Sequence, residues 1–264
     1  MKASKMFSLI FAFTIILCCG TTDICAADRY SWYCGRMKEN LQPALPSEFR
    51  CIEDHSVLWL NTTRSDDEEK KVAYLTFDAG YENGNVEKIL DILNEKKVKG
   101  AFFILINLIN SNPKLVQRMK NEGHFVCNHT AYHKDMSKVT NQWDFEKELE
   151  TLNESYWDLV GEDLKKYYRP PEGRFTPDNL RFAELSGYKT VFWSFAYADW
   201  DNSNQPSAAH AKKKILDNIH NGCVILLHPT SAVNVEILGE VIDQMRNEGY
   251  EFGTLDDLCT EMGK

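Results

Sequence analysis

The 264-residue sequence has no clustered cysteines, no excess of basic charge and no apolar run of membrane-spanning length. Of its eight cysteines, Cys18, Cys19 and Cys25 fall in the first 27 residues. The other five, Cys34, Cys51, Cys127, Cys223 and Cys259, are odd in number and scattered, which excludes a disulfide framework. Cys127 and Cys223 lie in apolar runs and read as small buried hydrophobes, while a Cys34–Cys51 bridge stays open. Lys and Arg number 30 against 39 Asp and Glu, a net charge of −9 that argues against nucleic acid or an anionic membrane surface as partner.

What is present begins with an address. Lys2 and Lys5, the apolar run Met6–Cys19 and the small residues ending in Cys25-Ala26-Ala27 have the layout of a secretory signal peptide cleaved after Ala27. The run is short for a bilayer span, with a retained anchor as the alternative. Cleavage would leave residues 28–264 with a net charge near −10. The expected product is a secreted or cell-wall-facing monomer without a transmembrane domain. Residues 28–71 read as an aromatic extension, ending in a charged run from Arg64 to Lys71, that wraps a single domain at 72–264.

From Val72 onward apolar β-rich runs alternate with helix-like segments. The expected strands are Val72–Phe77, Ala101–Ile106, Phe125–Cys127, Tyr167–Tyr168, Thr190–Phe195, Val224–Leu227 and Phe252–Leu255. Between them, apolar residues recur at helical spacing and stop at glycine, as in Val86, Ile89, Leu90 and Leu93 before Gly100. Repeated βα units imply a parallel sheet buried on both faces, read as an α/β fold: a distorted (β/α) barrel of about seven repeats. A doubly wound open sheet is the alternative, since periodicity does not distinguish closure from openness.

Five short stretches carry the chemistry: TFDAG around Asp78, HTAYH from His129 to His133, RPPEG from Arg169, DW at Asp199 and LLH ending at His228. The polar residues of these stretches follow expected strands, and in a parallel barrel such strand ends converge on one face. His129 and His133, if the segment turns helically, project two imidazoles toward one divalent cation, zinc being the expected metal. Asp78 is then the candidate general base and His228 the candidate acid. Arg169 would keep Asp78 ionised, and Asp199 would orient His228. Tyr197 and Trp200 are candidate sugar-stacking surfaces, Pro170, Pro171 and Glu172 candidate substrate contacts, and Trp193 and His124 read as structural.

In this order, and over roughly Val72 to Leu258, the five stretches resemble the polysaccharide deacetylase family, carbohydrate esterase family 4, with its NodB homology domain. The resemblance implies metal-assisted hydrolysis of N-acetyl groups on amino sugars, with Asp78 as base, His129 and His133 as metal ligands, His228 as acid, and Arg169 and Asp199 tuning the base and the acid. One departure bears on the metal: the family's second Asp, directly after the base, is here Ala79. Glu82 is a replacement donor to consider. Glu172 stands where many members carry an aromatic residue, and Ala196 where an acidic residue is frequent.

The tracts TFDAGYENG, FWSFAYADW and LLHPTSAVN, with the extension starting YSWYCG, are similar to a subgroup, the delta-lactam-biosynthetic de-N-acetylases of spore-forming bacteria. That similarity implies peptidoglycan as partner, N-acetylmuramic acid freed of its stem peptide as substrate, and a step toward muramic delta-lactam in spore cortex during sporulation. Alternatives are deacetylation of N-acetylglucosamine in peptidoglycan, chitin or an exopolysaccharide, and a glycan-binding pseudoenzyme, which Ala79 would favour.

Overall fold

In the computed structural model, residues 28–37, 39–65 and 70–264 are described. The expected signal segment at 1–27 and the middle of the charged run lie outside them. The chain opens with two short strands, β1 (Tyr30–Ser31) and β2 (Val57–Leu58). Alternation then sets in with β3 (Lys71–Ala79), α1 (Val86–Glu95), β4 (Ala101–Ile104), α2 (Ile106–Ser111), α3 (Pro113–Asn121), β5 (Phe125–Asn128) and α4 (Gln142–Val160). It continues through β6 (Lys165–Tyr168), β7 (Arg174–Phe175), α5 (Pro177–Leu185), β8 (Lys189–Val191), β9 (Phe195–Ala196) and α6 (Ala208–Leu216). The last elements are β10 (Cys223–Leu227), α7 (Ala232–Asn247), β11 (Tyr250–Phe252) and α8 (Leu255–Met262).

The main sheet is parallel throughout, in the order β2-β8-β6-β5-β4-β3-β10-β9. Its closure follows from one run of chain, residues 189–196. The first half of that run pairs with β6 and the second half with β10. Between the two, the Phe192 N–H donates to the Leu58 carbonyl and the Ser194 N–H to the Val224 carbonyl. A strand read from sequence as continuous is therefore broken because it changes partners midway. The sheet curls until one segment borders both of its flanks, giving the distorted (β/α) barrel in place of the open alternative.

Side chains alternate across β3 with the period of two that a strand imposes. Val72 and Tyr74 point into the barrel with Phe103, Cys127, Val191 and Val224. Ala73, Leu75, Phe77 and Ala79 point outward onto the helices, among them Val86, Ile89, Leu90 and Leu93 of α1. Thr76 and Asp78 follow on the inward face, so the strand delivers Asp78 to the barrel mouth as its last inward residue.

The seventh repeat differs from expectation. β11 ends at Phe252 and pairs only with Lys71–Ala73 at the start of β3. Thr254 then caps α8 through a reciprocal hydrogen bond with Asp257, which turns the expected strand end at Leu255 into a helix start. Leu255, Leu258 and Cys259 of α8 join the interior cluster, so this helix plugs the lower end of the barrel. At β4, likewise, the expected strand stops at Ile104 and Ile106 opens α2.

The amino-terminal segment packs as part of the body. β1 pairs antiparallel with β7, and β2 joins the sheet beside β8. Trp32 stacks on Phe192 with ring centroids 4.5 Å apart and donates its indole N–H to the Trp193 carbonyl at 2.9 Å. Cys34 and Cys51 are free thiols, so the bridge left open by the sequence does not form. No helix among the described residues is long and apolar enough to cross a membrane.

Candidate active site

Arg169, at the end of β6, has no exposed surface and makes its hydrogen bonds inside the barrel mouth. Its Nη1 donates to Asp78 Oδ1 at 2.8 Å, its Nη2 to Thr76 Oγ1 at 2.8 Å and to the Phe192 carbonyl at 3.2 Å, and its Nε to the Val191 carbonyl at 3.0 Å. The guanidinium also lies over the Phe103 ring at 4.1 Å. A buried cation costs several kcal/mol unless its donors are met, and here partners on β3, β8 and the following turn meet them. Burial by itself would raise the pKa of Asp78. Charges on His129, Arg169 and His228 outweigh it, and the net shift is downward. Burial keeps His129 uncharged at neutral pH, so Arg169 is the permanent cation holding Asp78 ionised.

His129 is buried and donates from Nδ1 to the Arg169 carbonyl at 2.8 Å, since a carbonyl only accepts. Its Nε2 is left with a lone pair, 3.6 Å from Asp78 Oδ2. Burial pushes its pKa down to about 4, which keeps the ring neutral and in ligand form. His133 does not follow on a helix. The segment is a loop in which Thr130 (φ 71°) and His133 (φ 55°) take left-handed backbone conformations. Such angles cost roughly 1 kcal/mol or more in a residue other than glycine. They are held by Asn128 Oδ1, which accepts the Thr130 N–H at 2.9 Å, and by Thr130 Oγ1, which accepts the His133 N–H at 2.9 Å. The Glu148 carbonyl on α4 accepts the Ala131 N–H.

This loop sets the two imidazoles 5.1 Å apart between centroids and 75° apart in plane. Two imidazoles on one tetrahedral zinc, bound at about 2 Å through their nitrogens, place their centroids about 5 Å apart. The donor set thus fits a divalent cation held by His129 and His133. Among the described residues, no group of three His, Cys, Asp or Glu side chains has metal-binding spacing. Ala79 sits unexposed in the apolar layer outside the barrel and offers no donor. Nor does Glu82 replace it: its carboxylate accepts the Gly84 and Val86 N–H groups at the start of α1.

Opposite, past the end of β10, His228 Nδ1 lies 2.7 Å from Asp199 Oδ1, and its backbone N–H donates to Asp199 Oδ2 at 2.7 Å. Burial would lower the pKa of His228. The Asp199 hydrogen bond and charge overcome it, and the net shift is upward. Asn234 of α7 completes the clamp, donating to Asp199 Oδ2 at 2.6 Å and to the His228 carbonyl at 3.0 Å. Tyr197 donates its hydroxyl to Asn234 Oδ1. Its ring is buried, which removes it as a stacking surface, whereas Trp200 is 63 % exposed.

In the turn after Arg169, Pro170 and Pro171 are buried, and Glu172 is exposed with a left-handed φ of 56°. Its carboxylate pairs with Arg174 at 2.8 Å. Gly173 must lack a side chain, because a Cβ there would meet Trp193 at 2.9 Å and Trp32 at 3.0 Å. The sequence reading missed Thr76, Asn128 and Asn234, which orient the groups it named. Thr76 lies two residues before Asp78 on the same strand face, a signal that was present in the alternation. Asn234 lies within the tract ending LLHPTSAVN but had no feature marking it as a partner of Asp199.

A family model for polysaccharide deacetylases matches residues 65–191. The chain is 37% identical over 210 residues to peptidoglycan-N-acetylmuramic acid deacetylase PdaA of Bacillus subtilis, covering 80% of this chain and 78% of that protein. It is 33% identical over 188 residues to a peptidoglycan-N-acetylglucosamine deacetylase of Bacillus cereus, covering 70% and 66%. The solved structure of Bacillus subtilis PdaA, a family 4 carbohydrate esterase, superposes with a TM-score of 0.82 at 33% identity, over 89% of this chain and 98% of that one. With the identity and the coverage both this high, the chain belongs to the polysaccharide deacetylase family, carbohydrate esterase family 4.

Proposed function

We propose that the protein is a peptidoglycan deacetylase that hydrolyses the N-acetyl group of N-acetylmuramic acid once the stem peptide is gone. The observation that carries the amide-hydrolase part of the reading is the pairing at the barrel mouth. A carboxylate held ionised by Arg169 and an imidazole whose protonated form Asp199 favours lie within electrostatic range of each other. Such a pair suits hydrolysis of an amide, in which one proton is taken from water and one is given to the leaving nitrogen.

Asp78 takes a proton from the attacking water as the water oxygen bonds to the acetyl carbon. His228 gives its Nε2 proton to the sugar nitrogen as the C–N bond breaks, releasing acetate and a free amine. Asp199, fixed by Asn234, holds the Nδ1–H and stabilises the imidazolium. Family members are metal-dependent; a cation held by His129 and His133 would supply Lewis acidity at the acetyl carbonyl. The muramoyl assignment rests on the similarity to PdaA, and with it go action outside the cell and a place before muramic delta-lactam formation in sporulation.

The test compares acetyl loss, by mass spectrometry, from amidase-treated glycan strands, untreated strands and chitin oligomers. Fastest loss from amidase-treated strands is expected. Faster loss from chitin would transfer the assignment to N-acetylglucosamine. No loss from any glycan with added metal would favour the glycan-binding pseudoenzyme, the reading to which Ala79 lends support.

A further inference from the structure

Beside the His129–His133 loop the surface opens into a groove of about 590 Å³, bounded by that loop, by residues 138–141 and by one face of α4. Its volume lies in the range of roughly 300–1,000 Å³ typical of ligand sites. Tyr132 and Lys134, which flank His133 in the chain, line it. The Tyr132 ring is 60 % exposed, which suits it to cover a sugar face.

The charges lining this groove run against those of the whole molecule. Lys134, Lys138 and Lys147 face Asp144 and Glu148, an excess of one positive charge on a chain whose net charge is −9. Lys134 is matched by the Glu148 carboxylate, and Lys138 lies 3.3 Å from Asp135. Lys147, exposed on α4, makes no ion pair among the described residues; its ammonium lies 4.9 Å from the centre of the Trp143 ring. A cation that meets only an aromatic face retains most of its capacity to bind an anion.

We infer that this groove receives the O3 lactyl carboxylate of the muramoyl residue being deacetylated, with Lys147 as the principal contact and Lys138 as the second. The inference rests on the muramoyl reading above and assigns a cause to the requirement for a peptide-free substrate. On the muramoyl ring the lactyl ether stands next to the acetamido carbon, so a sugar whose acetyl group is at His133 brings that substituent to the adjoining wall. While a stem peptide is attached, the lactyl carbonyl is an amide and carries no charge. Amidase cleavage exposes a carboxylate, and only this form offers the lysines an ion pair.

The experiment measures binding and reaction separately on the full chain with zinc. The probes are a peptide-free muramoyl oligosaccharide, its lactyl methyl ester and a chitin oligomer of equal length. Lys147→Gln should weaken calorimetric binding of the carboxylate form by roughly three- to tenfold, the range for a charge-assisted contact at a partly exposed site. Esterification should weaken wild-type binding to a similar degree, and the variant should no longer distinguish ester from acid. Lys138→Gln should act in the same direction with a smaller effect, and neither variant should alter binding of the chitin oligomer. Equal affinity of wild type and Lys147→Gln for the carboxylate form would overturn the groove assignment even if acetyl groups are lost. Charge-dependent binding without acetyl loss would uphold the groove and overturn the proposed reaction.

Discussion

Arg169 Nη1 lies 2.8 Å from Asp78 Oδ1, and with Thr76 Oγ1 at 2.8 Å from Nη2 the guanidinium spans two successive inward positions of β3. This contact makes Asp78 both the candidate base and the counter-ion of a fully buried cation. Substitution must therefore be judged on rate and stability together. Asp78→Asn keeps an acceptor for Arg169 and should reduce turnover by about 10²-fold or more, the scale of a lost general base. Asp78→Ala removes the acceptor as well and should also lower the melting temperature. A near-normal rate for the Asn variant would remove Asp78 from the role of base.

The second expectation concerns pH. Asp199 raises the pKa of His228 against the effect of burial. An acid must be protonated to act, so activity falls as pH rises through this raised pKa. Asp199→Asn weakens the raising interaction, and the alkaline limb of kcat/KM should move to lower pH. Asn234→Ala, which loosens Asp199 without touching His228's ring, should shift the limb in the same direction by less and reduce kcat more than it changes KM. The sign for stability is the same. The contribution from this pair is full below the unfolded histidine value near 6.5 and is lost as pH rises through the folded value. An unmoved alkaline limb in both variants would dissociate His228 from proton transfer.

Thr130 tests the loop. Thr130→Gly relieves the left-handed backbone at φ 71° but deletes the Oγ1 that accepts the His133 N–H. Thermal stability should change by less than about 1 kcal/mol as the two effects offset. Zinc affinity, followed by calorimetry, should fall because His133 loses its anchor. Unchanged affinity would mean that the remaining backbone bonds suffice to place the ring.

Ala79→Asp places a carboxylate beside an apolar layer. Without metal the variant should be less stable than wild type by about 1–3 kcal/mol, the cost of a poorly partnered buried polar group. If the family's usual ligand position is recreated, added zinc should return most of that loss and raise the melting temperature of the variant more than that of wild type. Equal zinc effects on both proteins would show that the new side chain does not reach the cation.

How much of this was legible in sequence depends on where each interaction is recorded. Asp78, Arg169 and His228 come at the ends of apolar strands, and in a parallel barrel those ends converge on one face. The loop from His129 to His133 was not legible, because Thr130 and His133 adopt backbone angles that neither residue favours alone; contacts from Asn128 and from α4 impose them. Tyr197 looked like a stacking surface because an aromatic beside a motif carries no sign of which way it faces. Its partner, Asn234, comes 37 residues later. The break between β8 and β9 was hidden for a related reason: an apolar run records burial and leaves the identity of its hydrogen-bonding neighbour unspecified.

The run that borders both flanks of the sheet leads directly into Asp199. Before the changeover, the carbonyls of Val191 and Phe192 hold Arg169; after it, β9 lies against β10, whose end carries His228. The two tuning groups, Arg169 and Asp199, thus hang from opposite sides of one seam, while Asp78 and His228 are carried by β3 and β10, which pair directly as far as Phe77 and Leu227. A breathing motion there would leave the β3–β10 pairing intact while loosening Arg169 from the Val191 and Phe192 carbonyls and Asp199 from His228. Rate would then decline before unfolding began, and the Ser194 amide, bonded across the seam to Val224, is where hydrogen exchange would register the opening first.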